Sequence, residues 1–402
     1  MRKILTIVLM LVFIIGKGQT AYIPNTGDST ISVINVATNT VITTINGGYG
    51  AEFVTVSSDG TNVYVSNYFG NTVSVINTAS NSITATIAVG HTPSGIVVSP
   101  DGSKVYVANL GDTSVSVINT ASNTVTNTIT VGNFPDGVTV SPDGSKVYVT
   151  NLYDNTISVI NTTSNTVTNT ITVGSAPYGI CVSPDGTKVY VAHSGFDSVS
   201  VINTATNLVS ANIKVGLDPY GITVSPDGSK VYVANHNDTS VSVINASTNT
   251  VIATIHVGLV PWGVSVTPDG SKVYVVNHND NSVSVINTAT NIVSATIPVG
   301  HSPSAFGNFI STANVGIPSP TNPTPTLSLY PNPSKDIFTI STTTNQTPKD
   351  IIVYDVLGNI IYQQLKEKEP TVTIDLSTHA KGVYFVKVIE DTRVSMSKVV
   401  LE

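Results

Sequence analysis

A chain of 402 residues with only 10% charged side chains and a net charge of −7 has no cluster of Lys and Arg able to track a phosphate backbone, which sets nucleic-acid binding aside. Val, Thr, Asn, Ser and Ile crowd out the helix formers, so an all-β chain is expected. The one cysteine, Cys181, permits no disulfide within the chain; its repeat position elsewhere holds Thr55, Val97, Thr139, Thr223 and Ser265, so it reads as a small buried filler.

In chain order, Arg2 and Lys3 come first, ahead of an apolar run from Ile4 to Ile15 that is too short to span a bilayer. Small and polar residues follow, the pattern of a cleaved export signal over residues 1–18 with Gln19 as the new N-terminus, and no transmembrane span is expected in the mature protein.

From Ala21 onward the sequence repeats. Ser57, Ser99, Ser141, Ser183, Ser225 and Thr267 each open a turn tetrad of the type Ser-Pro-Asp-Gly, spaced by 42 residues, and the Asn that ends Val-Ile-Asn recurs at Asn35, Asn77, Asn119, Asn161, Asn203, Asn245 and Asn287. Within the copy that begins at Pro93, alternating apolar and polar residues predict strands at Gly95 to Val98, Lys104 to Asn109, Ser114 to Asn119 and Thr124 to Val131. Pro presets φ in the intervening turns, Asp and Asn bond their own backbone, and Gly supplies positive φ. Four short strands in such a period make a propeller blade rather than a helical solenoid or a leucine-rich horseshoe.

The array ends decide whether it closes. Ala21 to Asn25, Thr30 to Asn35 and Thr40 to Ile45 match the second, third and fourth strands of a blade with no first strand before them. His301 to Phe306 match the start of a first strand with no second strand after it. The sequence therefore predicts that Ala305 to Ile310 pairs with the N-terminal hairpin, completing a seventh blade and removing two open sheet edges.

Tyr148-Val149-Thr150-Asn151, with variants beginning at Tyr64, Tyr106, Tyr190, Tyr232 and Tyr274, resembles the repeat that names the YVTN family of β-propellers. The resemblance spans residues 20 to 311 and implies a seven-bladed propeller over 19–311. Members resemble surface-layer and cell-surface proteins, and similar repeats occur in enzymes and electron-transfer proteins, so fold alone does not choose a function.

Residues 312–326 hold four prolines and no aromatic or charged side chain, the composition of an extended linker. Beyond it, strands are predicted at Leu327 to Tyr330, Ile337 to Ser341, Asp350 to Tyr354, Asn359 to Gln363, Thr371 to Ile374, Gly382 to Ile389 and Arg393 to Leu401, a small immunoglobulin-like β-sandwich over 327–402. Tyr330-Pro331-Asn332-Pro333, the turn from Asp355 through Gly358, the strand holding Gly382 and Tyr384, and Lys398-Val399-Val400-Leu401 together resemble the C-terminal sorting domain of type IX secretion cargo. The resemblance implies passage through the periplasm and the type IX secretion machinery to the cell surface or beyond it.

Turns of the two repeated kinds lie at one end of each blade. At the other end the residue that follows the first-strand Pro, or Ala51 in one blade, varies: Glu52, Ser94, Asp136, Tyr178, Tyr220, Trp262 and Ser304. Innermost strands carry these seven, so they should ring the channel mouth, where a varied set on a uniform scaffold can discriminate ligands. Tyr178, Tyr220 and Trp262 come from successive blades, and aromatic faces beside the carboxylates of Glu52 and Asp136 suit a sugar ring or a cationic group. His91 and His301 are weak metal candidates, one histidine per blade being poor chelate geometry, and no metal or other cofactor is expected. A non-catalytic, monomeric binding, adhesion or coat protein of the cell surface is therefore expected, with a glycan or other small surface ligand as its partner. The alternative is a lactonase-like or lyase-like enzyme using the same mouth.

Overall fold

The computed structural model of the protein describes residues 18–311, 327–342, 349–355, 360–367, 371–390 and 393–402. The expected linker and all but the last residue of the expected export signal fall outside that set. Among the described residues there is no helix long and apolar enough to cross a membrane. The chain divides into two compact units, Met1–Ile317 and Pro318–Glu402.

In the first unit, six four-stranded antiparallel sheets follow one another in chain order. The blade from Pro93 has strands Pro93–Val98, Lys104–Asn109, Ser114–Asn119 and Thr124–Thr130. Its turns have the chemistry read from the sequence. Ser99 Oγ donates to Asp101 Oδ1 at 2.5 Å, and Gly102 takes φ of 73°. Asn119 Oδ1 accepts the amides of Ala121 and Ser122 at 3.0 and 2.9 Å, while Asn123 closes the turn at φ of 53°.

Neighbouring blades lock through repeated contacts. The second-strand tyrosines Tyr106, Tyr148, Tyr190 and Tyr232 are buried, and the lysine at the head of that strand reaches the next blade: Lys104 Nζ donates to Thr162 O at 2.9 Å, and Lys230 Nζ to Thr288 O at 3.0 Å. The same bond crosses the joint between the last blade and the first. Lys272 Nζ meets Val36 O at 2.8 Å, and Tyr274 Oη donates to Asn39 Oδ1 at 2.7 Å. The ring is closed.

The seventh blade consists of Thr20–Asn25, Thr30–Asn35 and Thr40–Asn46 plus a segment from the far end of the array. Asn25 pairs with Pro303 and Ala21 with Ile310, both antiparallel. Ser304 N donates to Pro24 O at 2.9 Å, Tyr22 N to Phe309 O at 2.9 Å and Ser311 N to Thr20 O at 2.8 Å. The predicted strand Ala305 to Ile310 differs in one respect: it is pinned at its ends and bows between them toward the neighbouring inner strand Ala51–Val56. There Val54 N donates to Phe306 O at 3.2 Å and Val56 N to Asn308 O at 3.1 Å. Gly307 permits the bow with φ of +86°, at a point where a Cβ would lie 2.7 Å from Val54 O.

Inner strands converge on the axis, and the glycine of Pro-x-Gly makes that possible. A Cβ on Gly179 would stand 2.1 Å from Tyr220 O. Gly179→Ala is expected to destabilise the propeller by on the order of 2–3 kcal/mol through this backbone collision, read as a lower urea midpoint.

Six of the second strands end in a buried Asn that serves two hydroxyls; Asn109 Nδ2, for example, donates to Ser114 Oγ at 3.0 Å and Ser116 Oγ at 2.9 Å. One blade has His193 there instead, fully buried, with Nε2 2.8 Å from Ser200 Oγ. Burial holds the imidazole pKa down at about 4. The folded state thus favours the neutral ring, and stability present above about pH 6.5 is lost as pH falls toward 4. His193→Asn is expected to remove about 3 kcal/mol of that acid sensitivity, measured as the difference in unfolding free energy between pH 7 and 4.

The second unit packs sheet Leu327–Tyr330, Ile337–Thr342, Thr371–Asp375 against sheet Ile360–Glu367, Lys349–Tyr354, Gly382–Glu390, Arg393–Leu401. Phe338, Ile351, Val353, Ile374, Val386 and Leu401 form its core. The Tyr330 to Pro333 motif is tied to the last strand: Asn332 Oδ1 accepts Val400 N at 3.0 Å, and Ser334 bridges Leu401. Tyr384 Oη donates to Ala380 O at 2.5 Å, and Lys398 sits opposite Phe385 in the final strand pair. Asp355 follows the strand Lys349–Tyr354, whereas Gly358 falls outside the described residues.

Candidate functional site

Two sets of loops share the face opposite the repeated turns, and carboxylates stitch them together. Asp112 Oδ2 accepts His91 N at 2.6 Å, Asp154 Oδ2 accepts Asn133 N at 2.7 Å and Asp280 Oδ2 accepts Leu259 N at 2.6 Å. These fixed loops frame the inner-strand starts, where the seven variable residues sit. Glu52, Tyr178, Tyr220 and Trp262 are partly exposed, whereas Ser94, Asp136 and Ser304 are buried. Ser304 is absorbed by the closing joint, its Oγ 2.5 Å from Thr26 Oγ1.

Aromatic side chains form a continuous arc on one side. Tyr178 and Tyr220 lie 4.1 Å apart between ring centroids, and Trp262 stands edge-on to Tyr220 at 5.5 Å. Two histidines extend it. His236 stacks on Tyr220 at 4.4 Å, and His278 lies 4.6 Å from Trp262. His236 Nδ1 is 3.4 Å from Asp218 and His278 Nδ1 is 3.1 Å from Pro303 O, so both rings are oriented by neighbours. Their lean toward the arc is set by loop geometry that the repeat spacing does not encode.

Across from the arc is a carboxyl pair. Ser94 Oγ donates to Asp136 Oδ1, and among the described residues Asp136 Oδ2 has no hydrogen-bond partner. Burial pushes the Asp136 carboxyl up to about 6. Burial, and then the charge of Asp136, push Glu52 up to about 8. Tyr68, raised by burial and then by both carboxylates, joins this side of the mouth.

Below the ring the shaft is stoppered. Phe53 replaces the glycine found in most inner strands and stacks on Phe306 at 4.7 Å, with Tyr178 and Trp262 at 6.4 and 6.1 Å from Phe306. A cavity of about 40 Å³ remains, lined by Asp136, Tyr178, Phe53, Phe306 and the strand glycines. The signal was present in the sequence, since Ala51-Glu52-Phe53 departs from Pro-x-Gly.

Neither weak metal candidate joins this group. His91 Nδ1 lies 2.7 Å from Asp112, and His301 Nδ1 lies 3.5 Å from Asn281 Nδ2. Among the described residues no group of three or more His, Cys, Asp or Glu side chains is arranged to hold a metal ion. Cys181 is partly buried rather than fully buried as expected, packed against the core between two blades, where desolvation pushes its thiol up and leaves it a poor nucleophile.

Family comparisons agree with the fold of both units. Residues 328–402 match the secretion system C-terminal sorting domain, residues 142–230 a YNCE-like β-propeller and residues 76–182 the lactonase 7-bladed β-propeller. No curated protein matches the chain. Among solved structures, hydrazine synthase of Kuenenia stuttgartiensis is similar, with 24% identity and a TM-score of 0.58 over 64% of this chain and 88% of that one. A functionally unknown protein from Desulfotomaculum acetoxidans has 18% identity and a TM-score of 0.62, over 72% of this chain and 99% of that one. A protein titled a putative 6-phosphogluconolactonase from Bacteroides fragilis has 18% identity and a TM-score of 0.62, over 72% and 97%. At these identities the likeness is one of fold. Repeats and tail together place the chain: it is a β-propeller of YVTN-type repeats that carries a C-terminal sorting domain of the type IX secretion system, and is exported by that route to the cell surface or the extracellular space.

Proposed function

We propose that the exported propeller works by binding, without turnover, and that a ring-bearing surface ligand such as a glycan docks on the aromatic arc at the channel mouth. The arc itself is the observation that carries this reading: Tyr178, Tyr220, His236, Trp262 and His278 run together on the one face where the blades differ, while the opposite face repeats nearly the same polar turns. Aromatic faces bordered by a few polar groups favour sugar rings, which offer an apolar face and a hydroxyl edge. More aromatics surround the mouth: Tyr153 stacks on Phe134 at 3.9 Å, Phe69 lies 5.4 Å from Tyr49, and Tyr49, Phe69, Tyr153 and Phe196 are exposed. They widen the surface available for adhesion.

Trp262 is the only tryptophan, so its emission reports directly on the site. Titration with neutral oligosaccharides is expected to shift or quench that emission saturably, and Tyr220→Ala is expected to weaken binding by roughly tenfold or more, the loss of about 1.5 kcal/mol of aromatic contact. Flat emission across a broad glycan set would remove the reading.

A second reading has one observation in its favour. Glu52 and Asp136 have pKa values pushed apart in a cleft, the arrangement of an acid and a base, and the lactonase-type likeness fits an extracellular enzyme. A phosphorylated lactone suits this mouth poorly, because Lys104, Lys146, Lys188, Lys230 and Lys272 are occupied at turn carbonyls on the far face, and Lys214 stands exposed at the end of an outer strand rather than on the inner strands. Turnover of uncharged lactones that disappears in Asp136→Asn would favour the enzyme; none in the wild type would favour the binder.

A further inference from the structure

The glycan reading leaves two features of the shaft unused: a buried carboxyl and the void beside it. Asp136 is 2% exposed; Ser94 satisfies one of its oxygens, and among the described residues the other has no partner. Buried acceptors are seldom left bare, and Asp136 lines a cavity, so its carboxyl is placed to meet a donor there. That cavity measures about 40 Å³. Such a volume admits a group the size of one or two water molecules and excludes a sugar ring or a trimethylated nitrogen.

The walls set the charge of that donor. Tyr178, Phe53 and Phe306 line the cavity with aromatic carbon, and aromatic rings attract cations at their faces. The titratable groups that influence the pair from the surrounding strands and loops are Tyr68, Tyr178 and Tyr220, each pushed upward and therefore a neutral phenol near pH 7. Neither Lys nor Arg lines the cavity to neutralise the carboxylate. A six-coordinate metal ion would need more oxygen ligands than one bare carboxylate oxygen supplies.

We propose that this cavity receives a primary ammonium group, which donates to the Asp136 carboxylate, with the ring or stem that carries it lying along the aromatic arc. The assignment rests on the mouth being the ligand site and names the head group that the site selects. An amino sugar and a lysine-type side chain share that chemistry, and the test separates them.

Trp262 emission and calorimetry on the full-length protein would compare glucosamine with N-acetylglucosamine, lysine amide with its Nε-acetyl form, and methylammonium with tetramethylammonium. The expected result is at least tenfold tighter binding of each free amine than of its acetylated or methylated partner, a preference erased in Asp136→Asn and weakened as pH falls below about 6, where Asp136 takes up a proton. Glucosamine binding tighter than lysine amide would assign the amino sugar, and the reverse a protein side chain; either supports the ammonium site. Equal binding of glucosamine and N-acetylglucosamine by the wild type overturns it while leaving the glycan reading intact. Silence with every probe, oligosaccharides included, overturns both. The wild-type preference decides the matter even if Asp136→Asn does not fold.

Discussion

A chain that stops at Ser302 is expected to lose its cooperative unfolding transition and to associate, whereas one that stops at Ser311 keeps a single sharp transition as a monomer. The difference is the closing segment. Phe306, Phe309 and Ile310 are 6%, 0% and 1% exposed, and burying each contributes about 1.5–3 kcal/mol, about 4.5–9 kcal/mol together. Whole domains are stable by about 5–15 kcal/mol, so the loss is comparable with everything that holds the fold. It also bares the edge of Thr20–Asn25 and takes the stacking partner from Phe53, leaving an open sheet that invites pairing with another chain. Urea denaturation with light scattering reads both effects. A monomeric Ser302 chain with an unchanged midpoint would show that the annulus holds without its clasp.

The second large effect runs with pH. Glu52 and Asp136 have folded-state pKa values raised to about 8 and about 6, so the stability they contribute is fully present below about pH 4 and is lost as pH rises through 6 and then 8. Asp136 accounts for about 3 kcal/mol of this by its shift. Glu52 is partly exposed, and solvent screening reduces its share to about 2–3 kcal/mol. The double substitution Glu52→Gln with Asp136→Asn is expected to gain on the order of 5 kcal/mol over the wild type at pH 9 and little at pH 4. Denaturant midpoints from pH 4 to 9 test it; parallel profiles would mean that the pair is not buried at a cost. Such a cost is what the proposed ammonium site would require of its carboxylate.

The repeat made most of this architecture readable in advance. Asp101 and Gly102 announced their turn, Asn119 and Asn123 theirs, and the unmatched strand at either end of the array announced closure, because each feature depends on local backbone chemistry at a fixed period. Depth was not readable. Ser94, Asp136 and Ser304 have the same register as Tyr178 and Trp262, but how far each is covered depends on side-chain size and on the neighbours that glycine lets the inner strands approach. Phe53 and Phe306 broke the repeat visibly, yet their stacking across the shaft is a long-range contact that no spacing encodes. His236 and His278 entered the arc for the same reason, through loop geometry rather than through sequence position. In the tail, Asn332 and Val400 belong to motifs that could be read singly, and the bond between them becomes apparent only in the folded sandwich.

Recognition at the mouth face, and none at the face of repeated turns, is the proposition on which the functional account stands. Two triple variants of the exported protein assayed on one glycan array test it directly: Tyr178→Ser, Tyr220→Ser, Trp262→Ser on the mouth, and Asp101→Ser, Asp143→Ser, Asp185→Ser on the turns. The account predicts that the mouth variant loses the wild-type binding pattern while remaining folded and that the turn variant retains it. Binding that survives in the first and vanishes in a folded second would contradict it.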